Sequence, residues 1–194
     1  MINRITCMFL ACSTAALGDL IIDEENGIAL DVMAWTGEGD YTSFLVVDFE
    51  ATGGGSYAFG YLWDEGGTVL DMMDALSSST ELVAITTSYG EWGTFLDNFT
   101  YGEESGNPSN YWSHSLASPD GSGTVEWTSA GGGVEVELLT DGGISGWYNG
   151  FTDDYQTIPP SLPQTSVPAP AALPLCLVAL ATRSRSRKRT RLPS

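Results

Sequence analysis

The sequence predicts an α+β domain, predominantly antiparallel β with one covering helix, and three observations carry that expectation. Short β-rich runs are divided by turn signals such as Gly37-Glu38-Gly39-Asp40 and Gly53-Gly54-Gly55. A single stretch, 68–78, changes from strand alternation to a helical period. Cys7, Cys12 and Cys176 all lie towards the two ends of the chain, so residues 19–152 can hold neither a disulfide scaffold nor a thiolate metal site. Stability must then come from an apolar core, which a segment of that length can bury as one domain. A β-sandwich with one covering helix is the alternative architecture.

Met1 to Gly18 reads as a signal peptide. Arg4 supplies the positive start, Ile5 to Leu17 the apolar stretch, and Ala16-Leu17-Gly18 the small residues before Asp19, with Ser13-x-Ala15 a second cleavage option. The first expected strands are Gly27 to Trp35, Thr42 to Phe49 and Ser56 to Trp63. Val69, Leu70, Met73 and Leu76 then form a stripe at i, i+1, i+4 and i+7, with Thr68 and Asp71 placed for a capping box and Ser77-Ser78-Ser79 to end the helix. Strand patterns resume at Leu82 to Tyr89, Thr94 to Tyr101, Tyr111 to Leu116, Thr124 to Ser129, Val134 to Leu139 and Gly146 to Phe151. From 153 to 166 the composition turns to Pro, Ser, Thr and Gln, which predicts a flexible linker.

The tail begins at Val167-Pro168-Ala169-Pro170-Ala171, continues through the apolar Leu173 to Ala181, and ends in Arg183, Arg185, Arg187, Lys188, Arg189 and Arg191. A proline motif, a short apolar segment and a basic stop in that order make a sorting signal. The tail resembles the PEP-CTERM sorting domains of bacteria that secrete polysaccharide, in a VP-x-PA variant with Ala169 in place of the usual Glu. That resemblance implies an exosortase-type transpeptidase as partner, which removes the tail and passes the exported part to the cell surface. The apolar segment is shorter than the about 20 residues of a spanning helix, so it implies a transient membrane contact. Within the domain, the helix at 68–78, Tyr89-Gly90-x-x-Gly93-x-Phe95, Tyr111-Trp112 and Asp141-Gly142 together resemble β-grasp modules related to the transcobalamin C-terminal domain.

Charge excludes one class of partner. All 25 acidic residues fall between Asp19 and Asp154, an interval with no Lys or Arg, so it carries a net charge near −25 against −18 for the whole chain. Nucleic acid binding needs cations to displace counterions and is excluded. Self-repulsion on this scale calls for screening by salt or for bound cations. Ca²⁺ takes hard oxygen ligands, and Asp23-Glu24-Glu25 and the pair Asp71 and Asp74 are its candidates, although no D-x-D-x-D-G loop is present. No other cofactor is expected.

Enzyme machinery is sparse. The single histidine, His114, has no G-x-S-x-G elbow beside it and reads as a sheet-surface residue. The glycine runs at 53–55 and 131–133 lack the lysine of a P-loop. Acidic pairs alone do not make a glycosidase, which needs two carboxylates at a defined separation. Aromatic faces stack on sugar rings, and Trp92 and Trp112, near turns, are the two tryptophans expected to be exposed for that purpose. The expected function is a non-enzymatic, exported surface or matrix protein. The alternatives are a carbohydrate- or calcium-binding module of a polysaccharide matrix and, more distantly, a secreted hydrolase.

Overall fold

A computed structural model describes residues 19–167 of the chain; the expected signal peptide, Pro168 to Ala171 of the sorting motif, the apolar segment and the basic stop lie outside the described residues. In chain order the elements are β1 (Ile21–Asp23), β2 (Ile28–Leu30), β3 (Val32–Gly37), β4 (Tyr41–Asp48), β5 (Ser56–Trp63), α1 (Val69–Ser79), β6 (Leu82–Ser88), β7 (Thr94–Tyr101), β8 (Glu104–Ser105), β9 (Ser113–Ala117), β10 (Thr128–Ser129), β11 (Gly143–Tyr148) and β12 (Gln164–Ser166). They form open, mostly antiparallel sheets with a single helix among the described residues, an α+β arrangement rich in β. No helix among the described residues is long and apolar enough to cross a membrane.

The central sheet has six strands in the order β10-β9-β11-β4-β5-β3. Two of its pairings, β11 with β4 and β3 with β5, are parallel, so the sheet is mixed. The run Phe44-Leu45-Val46-Val47 explains why β4 sits in the middle: it is apolar at every position and buried on both faces. Phe44 and Val46 point with Ala58 and Ile144 into one cluster, which Ile22, Leu30 and Leu162 close. Leu45 and Val47 point with Phe59 and Trp147 into the other, closed by Met72, Met73 and Leu76 of α1 and by Leu82 and Phe99. Three layers result: a small sheet β1-β2-β12 on one side, the six-stranded sheet between, and α1 with the sheet β6-β7-β8 on the other.

Helix α1 forms as its sequence dictates. The Thr68 hydroxyl accepts from the Asp71 N–H at 3.2 Å and the Asp71 carboxylate accepts from the Thr68 N–H at 2.9 Å, a complete capping box. The buried stripe is Val69, Met72, Met73 and Leu76, with Leu70 only partly covered. Each of these side chains contributes about 1.5–3 kcal/mol when fully buried.

Three expectations are corrected. Val134 to Leu139 is not a strand: the Val134 and Glu137 carbonyls accept from the Leu70 and Val69 N–H groups at 2.8 and 3.0 Å. The first turn of a helix leaves its amides without partners, and this segment supplies them, which takes its backbone away from any ladder. The strand expected at Thr124 to Ser129 shortens to Thr128–Ser129, because Val125 and Trp127 turn inward, with Trp127 lying over Gly146 where a Cβ would stand 2.5 Å from its ring.

The third correction concerns 153–166, which is docked rather than a free linker. The Ser161 N–H donates to the buried Asp48 carboxylate at 2.7 Å, and the Asp31 N–H donates to the Pro163 carbonyl at 2.9 Å. β12 pairs with β2, and the Val167 N–H donates to the Gly27 carbonyl at 2.7 Å. The linker-like composition also fits an edge strand, and β2 offers an edge of otherwise unpaired backbone groups that β12 satisfies.

Candidate functional site: an aromatic face with adjoining grooves

The β6–β7 hairpin carries its inner face, Leu82 and Phe99, into the core and leaves its outer face to solvent, with Ile85 45% and Phe95 52% exposed. At its tip a 3₁₀ turn, Gly90–Trp92, lifts Trp92 to 84% exposure. Gly93 after it has φ +89° and ψ −172°, a conformation open to glycine, and a Cβ there would stand 3.1 Å from the Glu135 carboxylate. Tyr89 meets Phe95 edge-on at 5.6 Å between centroids, which fixes both rings beside the tip.

Three grooves meet around these rings. The first, of 520 Å³, runs between the hairpin tip and the 132–136 segment, with Trp112, His114 and Trp147 among its lining. The second, of 720 Å³, lies along the outer face of the hairpin and is lined by Tyr89, Trp92, Phe95, Asp97, Asn98 and Tyr111. A third, also of 720 Å³, is bordered by Asn110, Tyr111, Phe151, Asp153 and Tyr155. Tyr111, 84% exposed, borders all three, and Trp92 borders the first two. Tyr155 is 86% exposed and is the one non-glycine residue with positive φ among the described residues, at 61°.

Of the two tryptophans expected to stack on a ligand, Trp92 is exposed and Trp112 is not. Trp112 is 7% exposed, packs edge-on to Phe49 and Phe99, and donates its indole N–H to Asn98 at 3.2 Å. Its neighbour Tyr111 takes the outward position instead. Tyr89, Phe95 and Tyr155 also belong to this face, and the turn glycines and polar residues beside them are the only signal of it in the sequence.

His114 departs from the expected sheet-surface residue. Its ring stacks on Trp147 at 4.0 Å and 9°, and its Nε2 lies 2.8 Å from the Ser145 hydroxyl. Burial pushes the imidazole down to about 3, so it is neutral across the ordinary pH range. A serine beside a histidine invites comparison with a nucleophilic pair. Here the Ser145 hydroxyl is buried and accepts the Trp147 indole N–H at 3.0 Å, and a base of such low pKa draws a serine proton poorly. The arrangement is a polar brace inside the sheet.

No family model, curated protein or solved structure matches this chain.

The calcium candidates are dispersed. The Asn26 side-chain amide and then its backbone N–H bond to Asp23 and hold its carboxyl below the ordinary value. Asp71 is taken by the helix cap, and Glu24, Glu25 and Asp74 are exposed at the surface. Among the described residues no three His, Cys, Asp or Glu side chains converge as metal ligands would.

Proposed function

We propose that this chain is an exported surface or matrix protein, processed at an exosortase-type C-terminal signal, whose domain binds polysaccharide without transforming it. The observation that carries the binding role is the aromatic face: Trp92 and Tyr111, each 84% exposed, stand where adjoining grooves meet. Exposed rings of this size are costly to leave in water and mark a binding surface. Asp97, Asn98 and Asn110 border the same grooves and supply the hydrogen-bonding groups that a sugar's hydroxyls require. The charge of the domain disfavours anionic polymers, and of the polysaccharides left an uncharged one is the proposed ligand, because its hydroxyls and C–H faces match these polar groups and rings. For the fold, a helix across one face of a mixed sheet supports the β-grasp likeness as part of this proposal.

Two measurements test it. In affinity electrophoresis through gels of neutral polysaccharides, the protein should be retarded by at least one, and Trp92→Ala or Tyr111→Ala should abolish the retardation; an unretarded wild type refutes the binding role. Mass spectrometry of the protein recovered outside the cell should place its N-terminus near Ala16 or Asp19 and find nothing beyond about Ala171. Recovery of the intact basic tail would refute the sorting role.

A further inference from the structure

We infer that the groove between the hairpin tip and the 132–136 segment is a subsite for one uncharged pyranose ring, with the His114 imidazole as its fixed hydrogen-bond donor. This rests on the polysaccharide-binding reading above and adds which groove takes a sugar unit and which atom orients it. The groove's 520 Å³ falls within the roughly 300–1,000 Å³ of small-molecule sites. Trp92 and Tyr111 at its rim offer apolar faces for the C–H side of a pyranose, and Glu91 and Glu135 offer acceptors for its hydroxyls. No Lys or Arg exists between Asp19 and Asp154 to attract an anionic sugar.

The hydrogen-bond pattern assigns the proton on His114. The Trp147 indole N–H donates to the Ser145 oxygen at 3.0 Å, and the serine's own proton has no acceptor among the described residues other than His114 Nε2 at 2.8 Å. Nε2 is then the acceptor and Nδ1 carries the hydrogen. Nδ1 has no partner among the described side chains and is not among the sealed, unpartnered polar atoms, which are Ser115 Oγ and Asn149 Nδ2. A donor without a protein partner on a residue that lines a groove is available to a ligand acceptor, and a hydroxyl oxygen is the uncharged group that fits. The Trp147 stack holds the ring in place, so the donor is oriented before the ligand arrives. The titratable groups facing the groove are Glu91, Glu135, Tyr111 and His114 itself. With the imidazole neutral, binding holds constant from pH 8 down to the carboxylate range.

His114 is the only histidine in the chain, so ¹⁵N-histidine labelling of the full chain observes this one ring. Calorimetry with cellohexaose, laminarihexaose and xylohexaose as probes should show binding of at least one. The expected results are an Nδ1–H tautomer, a shift of its ¹⁵N resonance on saturation with that oligosaccharide, and affinity about fivefold to tenfold weaker in His114→Phe. The phenylalanine keeps the stack on Trp147, and His114→Gln, which restores an N–H donor, should recover part of the loss. If the sugar binds wild type and His114→Phe equally and the ring resonance is unmoved, this inference falls while the aromatic-face reading stands. If wild type binds none of the three, both fall. Tighter binding of an oligogalacturonate than of any neutral probe also overturns the inference.

Discussion

Tyr111 and Trp112 are adjacent, chemically alike and opposite in fate, which shows what one residue's placement decides here. Trp112 faces the core and Trp92 and Tyr111 face water. Trp112→Ala should therefore cost about 3–5 kcal/mol in denaturant unfolding, whereas Trp92→Ala should change stability by less than about 0.5 kcal/mol. His114 gives a pH prediction. Its folded-state pKa lies near 3, below the ordinary 6.5, so the unfolded chain binds the extra proton between those values. Its contribution to stability is fully present above pH 6.5 and declines as pH falls towards 3. Between pH 6 and 5, above most carboxylate titration, wild type should lose about 1 kcal/mol that His114→Phe does not lose. The sequence could mark this neighbourhood as aromatic and turn-rich. It could not say which ring of the Tyr111-Trp112 pair points outward, because that parity is set by the pairing of β9 with β11, where Trp147 lies opposite His114 and thirty-three residues separate them in sequence.

At the scale of elements, local signals were legible and long-range ones were not. The helix was readable because its period and its capping box are both contained in a dozen residues. Thr68→Ala removes the hydroxyl half of that cap and should lower stability by about 1 kcal/mol, or about 2–4 °C in melting temperature. The 134–139 segment alternates like a strand, yet the free amides at the start of α1 claim its carbonyls, a demand that no pattern within the segment announces. The parallel pairings β3–β5 and β4–β11 were likewise invisible, since neither involves strands joined by a hairpin. The hairpin tip offers a second test. Gly93→Ala forces a side chain into a glycine-only conformation, at about 1–3 kcal/mol, and pushes against Glu135. It should weaken polysaccharide retardation while leaving Trp92 itself in the chain.

For the whole molecule the dominant fact is a field of one sign. With no Lys or Arg between Asp19 and Asp154, carboxylates find partners in backbone N–H groups, as Asp48 does with Glu50 and Ser161 and Asp141 does with Thr42. Such bonds satisfy individual oxygens without cancelling the net charge. Pairwise repulsion between exposed charges is small, about 1 kcal/mol at 4 Å in water, but summed over 25 acids it becomes comparable with a net stability of roughly 5–15 kcal/mol. The melting temperature should rise between 10 mM and 500 mM NaCl, and a flat response would refute the repulsion argument. Calcium chloride at matched ionic strength separates screening from a specific site: an extra rise there reports a ligand bound by the folded state.

The docking of residues 153–167 has a mechanical consequence. β12 lies in the layer on the far side of the central sheet from the aromatic hairpin, so a molecule held by its C-terminal end presents that hairpin away from the point of attachment. A pull on that end is borne first by the β12 pairings, Gln164 with Leu30, Thr165 with Ala29 and Ser166 with Ile28, and then by the bond from Ser161 to Asp48. The pairings lie outside the six-stranded sheet, and the bond meets that sheet only at Asp48, the last residue of β4. Peeling them frees residues 161–167, roughly 24 Å of chain at about 3.4 Å per residue, while Ile158 stays bonded to Ser113 and the core and the grooves on the opposite face stay intact. A single-molecule pulling trace should show that short extension before the main unfolding event, which makes the segment a reserve of length that yields before the aromatic face does.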